Sequence, residues 1–264
     1  MNKYINKKMN PVIECLLKHK SIRKYKDTPV EQDKLDLIIK TAQASPNWYH
    51  GQHVSIIAVR DKEVKAKLAK WSLNQSYVST CPIFLVFCAD FYRTSLVFEK
   101  HGRDMKPFVE HIDSLIIGSH DVGYAMENAI VGAESMGLGT VCIGGIRQTS
   151  LSVVKELNLP KYVIPLVGLC IGYPDDSPEV KPRLAKEAIF FEGKYDTTHL
   201  KEEIDKFDEE YKNYLKTRSS NNKDIIWSDQ LSAYYESEVK DNAGIYDQDY
   251  ELLKQQGYIK IDKK

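Results

Sequence analysis

The sequence predicts an α+β fold, and three patterns carry that expectation. Two uninterrupted apolar runs rich in β-branched residues, Ile83 to Ala89 and Tyr162 to Gly172, have the composition of strands covered on both faces. Between them, from His111 to Met136, apolar residues recur at helical spacing over the longest stretch in the chain. Four or so convincing strands stand among seven or more helical segments, with no internal repeat, so the layout is mixed rather than a regular strand-helix array.

Each element has a local cause. Asn10-Pro11 opens the first helix, because proline at its first position gives up an N–H that would be unpaired there, and Val12, Ile13, Leu16 and Leu17 form its apolar stripe. Leu35, Ile38, Ile39 and Ala42 set a second helix that must end before Ser45-Pro46. A loop over residues 47–53 leads to a strand over 54–60 and an exposed helix over 62–70. In the long helix, Gly118, Gly123 and Gly132 each cost about 1 kcal/mol of propensity, which implies close backbone approach, either inside one core or against a second subunit. Gly137-Leu138-Gly139 ends it, followed by a short strand over 140–143, a helix over 149–157 and the second buried strand. From about His199 onward, charge-rich helical segments around Phe207, Tyr211, Tyr214 and Leu215 read as an outer, solvent-washed extension.

Bulk properties exclude several functions. The chain has 264 residues with 37 Lys plus Arg balanced by 37 Asp plus Glu, which argues against a nucleic-acid or acidic-membrane binder. Its five cysteines, Cys15, Cys81, Cys88, Cys142 and Cys170, include no C-x-x-C pair and no nearby histidine at ligand spacing, so no metal is expected. Cys88 and Cys170 lie in apolar runs where a thiol acts as a small buried hydrophobe. Glu14 and Lys18 break the first apolar stretch before it can serve as a secretory core, and nothing approaches about 18 consecutive apolar residues; the expected location is cytoplasmic.

The chemistry concentrates in three fragments. His19-Lys20-Ser21-Ile22-Arg23 packs a rigid guanidinium fork, a point charge, an imidazole and a hydroxyl into five residues, a donor set suited to phosphate. In Lys181-Pro182-Arg183, proline favours an extended chain in which the two cations project to one side. Ile143-Gly144-Gly145-Ile146-Arg147 ends a strand in two glycines, so backbone can approach a planar ligand. No G-x-G-x-x-G opens a helix and no G-x-S-x-G is present. Anion grips without a nucleophile or base point to chemistry carried by a bound cofactor.

These fragments, in this order, resemble the FMN-dependent nitroreductase and flavin reductase family in its NADPH-preferring, oxygen-insensitive branch. His19 to Arg23 resembles the family's H-R-S-I-R, Val141 to Arg147 its strand plus I-G-G-x-R, and Gly168-Leu169-Cys170-Ile171-Gly172 with Lys181-Pro182-Arg183 its G-L-C-x-G and K-P-R. Phe87 to Phe91, Ser219 to Asn222 and Trp227-Ser228-Asp229 resemble further stretches of the branch.

The resemblance implies a mixed sheet flanked by helices, with the long helix at a homodimer interface. It implies an FMN-binding core over 1–195, and a helical C-terminal extension over 196–264 that completes the nucleotide and substrate site. His19, Lys20, Ser21, Arg23, Lys181 and Arg183 would hold the FMN phosphate and ribityl side, and Gln75, Ile143, Gly144 and Gly145 would lie at the flavin. Trp48, Tyr49, His50 and Gln52 would line the substrate pocket, and Arg147, Arg218 and Lys223 would bind the pyridine nucleotide. Lys223 followed by Asp224 weakens the case for a 2′-phosphate grip, so NADH stands beside NADPH as donor. No side chain is required as acid or base. The implied activity is ping-pong hydride transfer from NAD(P)H to small nitroaromatics, quinones or free flavin; a dedicated FMN reductase and a flavin-binding protein without turnover are the alternatives.

Overall fold

The computed structural model describes residues 10–240 and 248–260, without the side chains of 238–240; residues 1–9, 241–247 and 261–264 lie outside the described residues. The chain divides into two compact units, one of Met1–Asp176 with Tyr246–Lys264 and one of Ser177–Ile245.

In the first unit, β1 (Val54–Val59), β2 (Ile83–Asp90), β3 (Gly139–Ile143) and β4 (Val163–Gly172) form a sheet in the order β1-β2-β4-β3. All three pairings are antiparallel, Ile83 standing opposite Ile171 and Ile143 opposite Gly168. A parallel element comes from an isolated bridge between Ser21 and Thr140 at the β3 edge. Every residue of β2 is buried, which is why it reads as an unbroken apolar run.

Helices cover both faces. Up to Asp176 these are α1 (Pro11–Leu17), α2 (Gln32–Gln43), α3 (Lys62–Trp71), α4 (Ser76–Thr80), α5 (Tyr92–Lys100), α6 (Lys106–Val109), α7 (Ile112–Ser135) and α8 (Ser150–Glu156). Leu35 and Ile38 of α2, Ala125 and Ala129 of α7, and Leu85 and Phe87 of β2 share one core. Leu68, Val78, Phe84, Val86 and Val153 form the core on the other face. The helix expected to be exposed, α3, buries Lys65, Leu68 and Ala69 there.

Two of the three glycines of α7 are close approaches inside the chain. A Cβ on Gly118 would lie 2.7 Å from the Ala89 Cβ, and one on Gly132 would lie 2.5 Å from the Thr41 hydroxyl. Gly123 faces open space.

In the second unit, α9 (Leu200–Thr217) and α10 (Trp227–Lys240) are joined by a cap and an aromatic contact. Asp208 accepts from the Ser228 N–H at 2.8 Å, and Phe207 meets Trp227 edge-on at 5.3 Å. The last helix, α11 (Gln248–Gln255), departs from the solvent-washed reading. It returns to the first unit, where Leu252 and Tyr258 join the core and the Tyr162 N–H donates to the Gln256 carbonyl at 2.9 Å.

Candidate functional site

Residues 19–26 leave α1 in an extended path along the β3 edge. The Ile22 N–H donates to the Thr140 carbonyl at 2.8 Å, the Lys26 N–H donates to Tyr173, and the Tyr25 hydroxyl donates to the Ile22 carbonyl at 2.7 Å. Burial raises the Tyr25 phenol far above its usual range, so it stays a neutral donor. Ile22 fits against Gly139, where a Cβ would come within 2.6 Å of it, so this glycine sets how closely the segment lies on the strand.

His19 Nδ1 lies 2.9 Å from the Glu134 carboxylate near the C-terminus of α7, and that carboxylate oxygen also accepts from the Thr140 hydroxyl at 2.7 Å. Lys20 and Ser21 are half-buried; Arg23 is exposed, with its guanidinium 5.8 Å from the centre of the Tyr77 ring.

The strand that carries Thr140 runs on to Ile143, which is buried, and into a 3-10 turn over Gly144–Arg147. A Cβ on Gly145 would lie 3.3 Å from Leu73 and from the Ser72 carbonyl, so the turn sits against the segment just before Gln75. Leu73 and Asn74 adopt left-handed φ values of 61° and 54°, and this turn sets Gln75 at the head of α4. The Gln75 Oε1 is buried without a hydrogen-bond partner in the described structure, an acceptor that favours a ligand donor. The structure therefore brings residues 19–23, 143–145, 75 and 77 to one neighbourhood of the first unit. Arg147 lies at its margin, paired with Asp249 at 3.0 Å. Burial raises the Asp249 pKa although Arg147 opposes the shift.

The aromatic loop stands elsewhere on the unit. Trp48, Tyr49 and His50 form a 3-10 turn, and Tyr49, His50 and Gln52 all take left-handed φ values of 50° to 55°. Side-chain bonds hold it: Asn47 accepts from the Gln52 N–H at 3.0 Å, and the buried Asp121 of α7 accepts from the Trp48 N–H and meets His53 Nδ1, each at 2.9 Å. Tyr49 is 96% exposed. A cavity of about 260 Å³ beneath the loop is lined by Ser45, Asn47, Gln52, Arg93 and Ala125. Asp121 and Glu134 lie 13 positions apart on one helix, so loop and cationic segment are anchored about 20 Å from each other along α7.

The remaining candidates belong to the second unit. Lys181 and Arg183 are exposed on irregular chain. Arg218 follows α9, donates to the Asn221 carbonyl and lies 6.0 Å from the Tyr214 ring centre, while its Nε is buried without a partner. The Lys223 N–H donates to the Leu215 carbonyl, and Asp224 pairs with Lys216 at 3.2 Å. Ser219 donates to Glu179, whose carboxyl is held below its usual range by backbone and Ser219 hydrogen bonds.

The nitroreductase family model matches residues 16–173, and that of the nitroreductase family C-terminal domain matches residues 181–261. The chain belongs to the nitroreductase family. Among curated members, an FMN reductase [NAD(P)H] of Bacillus subtilis is 38% identical over 97% of this chain and 100% of its own length. An oxygen-insensitive NADPH nitroreductase of Salmonella typhimurium is 37% identical over 84% of this chain and 90% of its own. Among solved structures, B. megaterium NfrA2 superposes with a TM-score of 0.90 at 38% identity, covering 97% of this chain and 100% of that one. The Vibrio harveyi NADPH:FMN oxidoreductase complexed with NAD+ gives 0.80 at 32% identity, covering 94% and 98%.

Sequence reasoning missed the residues that orient this nitroreductase's candidate groups: Glu134 and Thr140 behind His19, Asp121 behind the loop, Tyr77 beside Arg23 and Asp249 beside Arg147. Each lies far in sequence from its partner and carries no motif. Among the described residues no cluster of metal-ligating side chains is present, and no helix is long and apolar enough to cross a membrane.

Proposed function

We propose that this protein is an FMN-dependent NAD(P)H oxidoreductase that reduces nitroaromatics, quinones or free flavin. The observation that carries the reading is the convergence of the cationic segment 19–23 with the Gly145 turn and the orphan acceptor of Gln75 in one unit. An anionic group at one end and an N–H-bearing ring at the other satisfy both, and FMN has both. When bound, FMN supplies the ring that accepts hydride from the nicotinamide and passes electrons to the acceptor.

The chain's own groups bind and orient. Arg23, Lys20, Ser21 and His19 hold the phosphate side, Glu134 and Thr140 fix the imidazole, and Gln75 accepts from the ring while Ile143, Gly144 and Gly145 lie along it. On the second unit, Lys181 and Arg183 are proposed as phosphate-binding cations and Arg218 and Lys223 as nucleotide-binding ones, with Arg147 on the first. NADPH is the proposed donor, with NADH as alternative.

We also propose a homodimer working in the cytoplasm. Val12, Ile13, Leu16 and Leu17 of α1 and Ile112, Ile116 and Tyr124 of α7 are exposed apolar side chains, and these support an interface between two copies. Trp48, Tyr49, His50 and Gln52 stand about 20 Å from the cationic segment along α7 and are proposed to complete a second copy's pocket. Light scattering should give twice the chain mass.

The deciding experiment is the visible spectrum of the purified protein, followed by anaerobic addition of NADPH. Flavin bands that bleach support an enzyme; bands that stay identify a binding protein without turnover, and a colourless protein that takes up no added FMN ends the proposal. Steady-state rates with FMN, a quinone and a nitroaromatic at equal concentration then separate a dedicated flavin reductase from a broader reductase.

A further inference from the structure

On the sheet face that carries α3 and α4, two thiols meet. Cys81 follows α4 and Cys170 lies in β4, and both are 0% exposed. Their thiols donate to successive carbonyls of α4, Cys81 to Val78 at 3.3 Å and Cys170 to Tyr77 at 3.7 Å, which sets the two sulfurs side by side.

The third member is Lys65. It is 4% exposed, its ammonium donates to the Cys81 carbonyl, and no carboxylate lies within ion-pair distance among the described residues. A buried cation without a counter-charge is costly, and a thiolate at Cys81 provides one. The Cys170 thiol and then the Lys65 charge hold Cys81 below the usual thiol range, whereas burial raises Cys170, so Cys81 is the acidic member of the pair. A cavity of about 520 Å³ lined by Lys65, Cys81, Pro82, Tyr25 and Ser79 borders the pair.

We propose that Cys81 and Cys170 form a peroxide-responsive dithiol, in which Cys81 is the attacking sulfur and Cys170 the resolving one. The Cys81 thiolate attacks hydrogen peroxide, the O–O bond breaks, and with one proton taken up the products are a sulfenic acid and water. The Cys170 sulfur then attacks the Cys81 sulfur, the S–S bond forms, the S–O bond breaks, and hydroxide leaves with the Cys170 proton as a second water. Two thiols are oxidised and one peroxide is reduced. The bond clamps the end of α4, at whose N-cap Gln75 stands, onto β4.

The test is mass mapping of the reduced full chain before and after hydrogen peroxide, with free thiols alkylated in denaturant. The expected product is one peptide pair joining Cys81 to Cys170, two hydrogens lighter than its parts and separated by a reductant, while Cys88 is recovered as a thiol. In Cys170→Ser the expected product is a Cys81 sulfenic acid that dimedone labels. Recovery of both cysteines as alkylated thiols in the wild-type chain under peroxide that oxidises the exposed Cys142 would overturn the proposal, as would a disulfide joining any other pair.

Discussion

The Glu134 carboxylate accepts from the Thr140 hydroxyl at 2.7 Å and meets His19 Nδ1 at 2.9 Å through the same oxygen. The carboxylate is 13% exposed and Thr140 is fully buried, so the end of α7, the β3 edge and the phosphate-side segment are bonded as one unit. Glu134→Ala leaves the Thr140 hydroxyl without an acceptor, and the expected loss is about 1–3 kcal/mol of stability. FMN affinity should fall several-fold with it, since the imidazole loses its orientation. Urea unfolding and a flavin titration check the two halves.

Arg23 tests the phosphate grip directly. Arg23→Ala removes one fork of charge-assisted hydrogen bonds and should release FMN during purification, whereas Arg23→Lys should keep part of it. Flavin-to-protein absorbance ratios give the measurement; full occupancy in the alanine variant would place the grip elsewhere.

Gly139 offers a test of the packing beneath the grip. An added Cβ would come within 2.6 Å of Ile22, so Gly139→Ala should destabilise by about 1–3 kcal/mol and weaken FMN by displacing the segment. Adding Ile22→Ala, which removes the Cγ1 and Cγ2 atoms nearest the new Cβ, should make Gly139→Ala cost less than it does alone. A double-mutant cycle by thermal unfolding reads the coupling.

Asp249 gives a pH signature. Its pKa is raised in the folded chain mainly by burial, so the native state holds the proton more tightly than the unfolded state does. Its contribution is therefore most favourable below the ordinary Asp value of about 4 and is lost as pH rises through the raised folded value. Asp249→Asn removes that dependence, and the stability of the variant relative to wild type should increase with pH across that window. Denaturant midpoints at a series of pH values show the slope, whatever the offset from losing the Arg147 pair.

Tyr49 separates stability from function in the aromatic loop. Its φ of 50° is one that a side chain resists and glycine accepts, so Tyr49→Gly should leave stability unchanged or raised by up to about 1 kcal/mol. If the ring lines the acceptor pocket as proposed, KM for nitroaromatics rises while reduction of the flavin by NADPH is unchanged. Stopped-flow half-reactions distinguish the two steps.

Sequence made the centre of the fold legible because burial on both faces leaves an unbroken apolar run, as in β2, and because α7 repeats its apolar pattern over 24 residues. Asn10 and Pro11 marked the start of α1 because capping is local chemistry, and the Asn10 side chain accepts from Ile13 N–H as that chemistry requires. The relation between His19 and Glu134 was not legible, since 115 residues separate them and a glutamate in the last turn of a helix reads as solvated. Nor was the loop conformation: Tyr, His and Gln seldom take positive φ, and the bonds from Asn47 and Asp121 that hold them there leave no composition signal. The charge-rich surface of the C-terminal segments likewise hid α11, whose Leu252 enters the core.

Because α7 fastens the aromatic turn through Asp121 and the imidazole through Glu134, it works as a ruler with fixed marks. Replacing residues between those marks changes local chemistry; inserting one residue would turn one mark by about 100° around the axis relative to the other. Descendants of this chain should therefore vary at the exposed positions between 121 and 134 and scarcely at all in the number of residues between them.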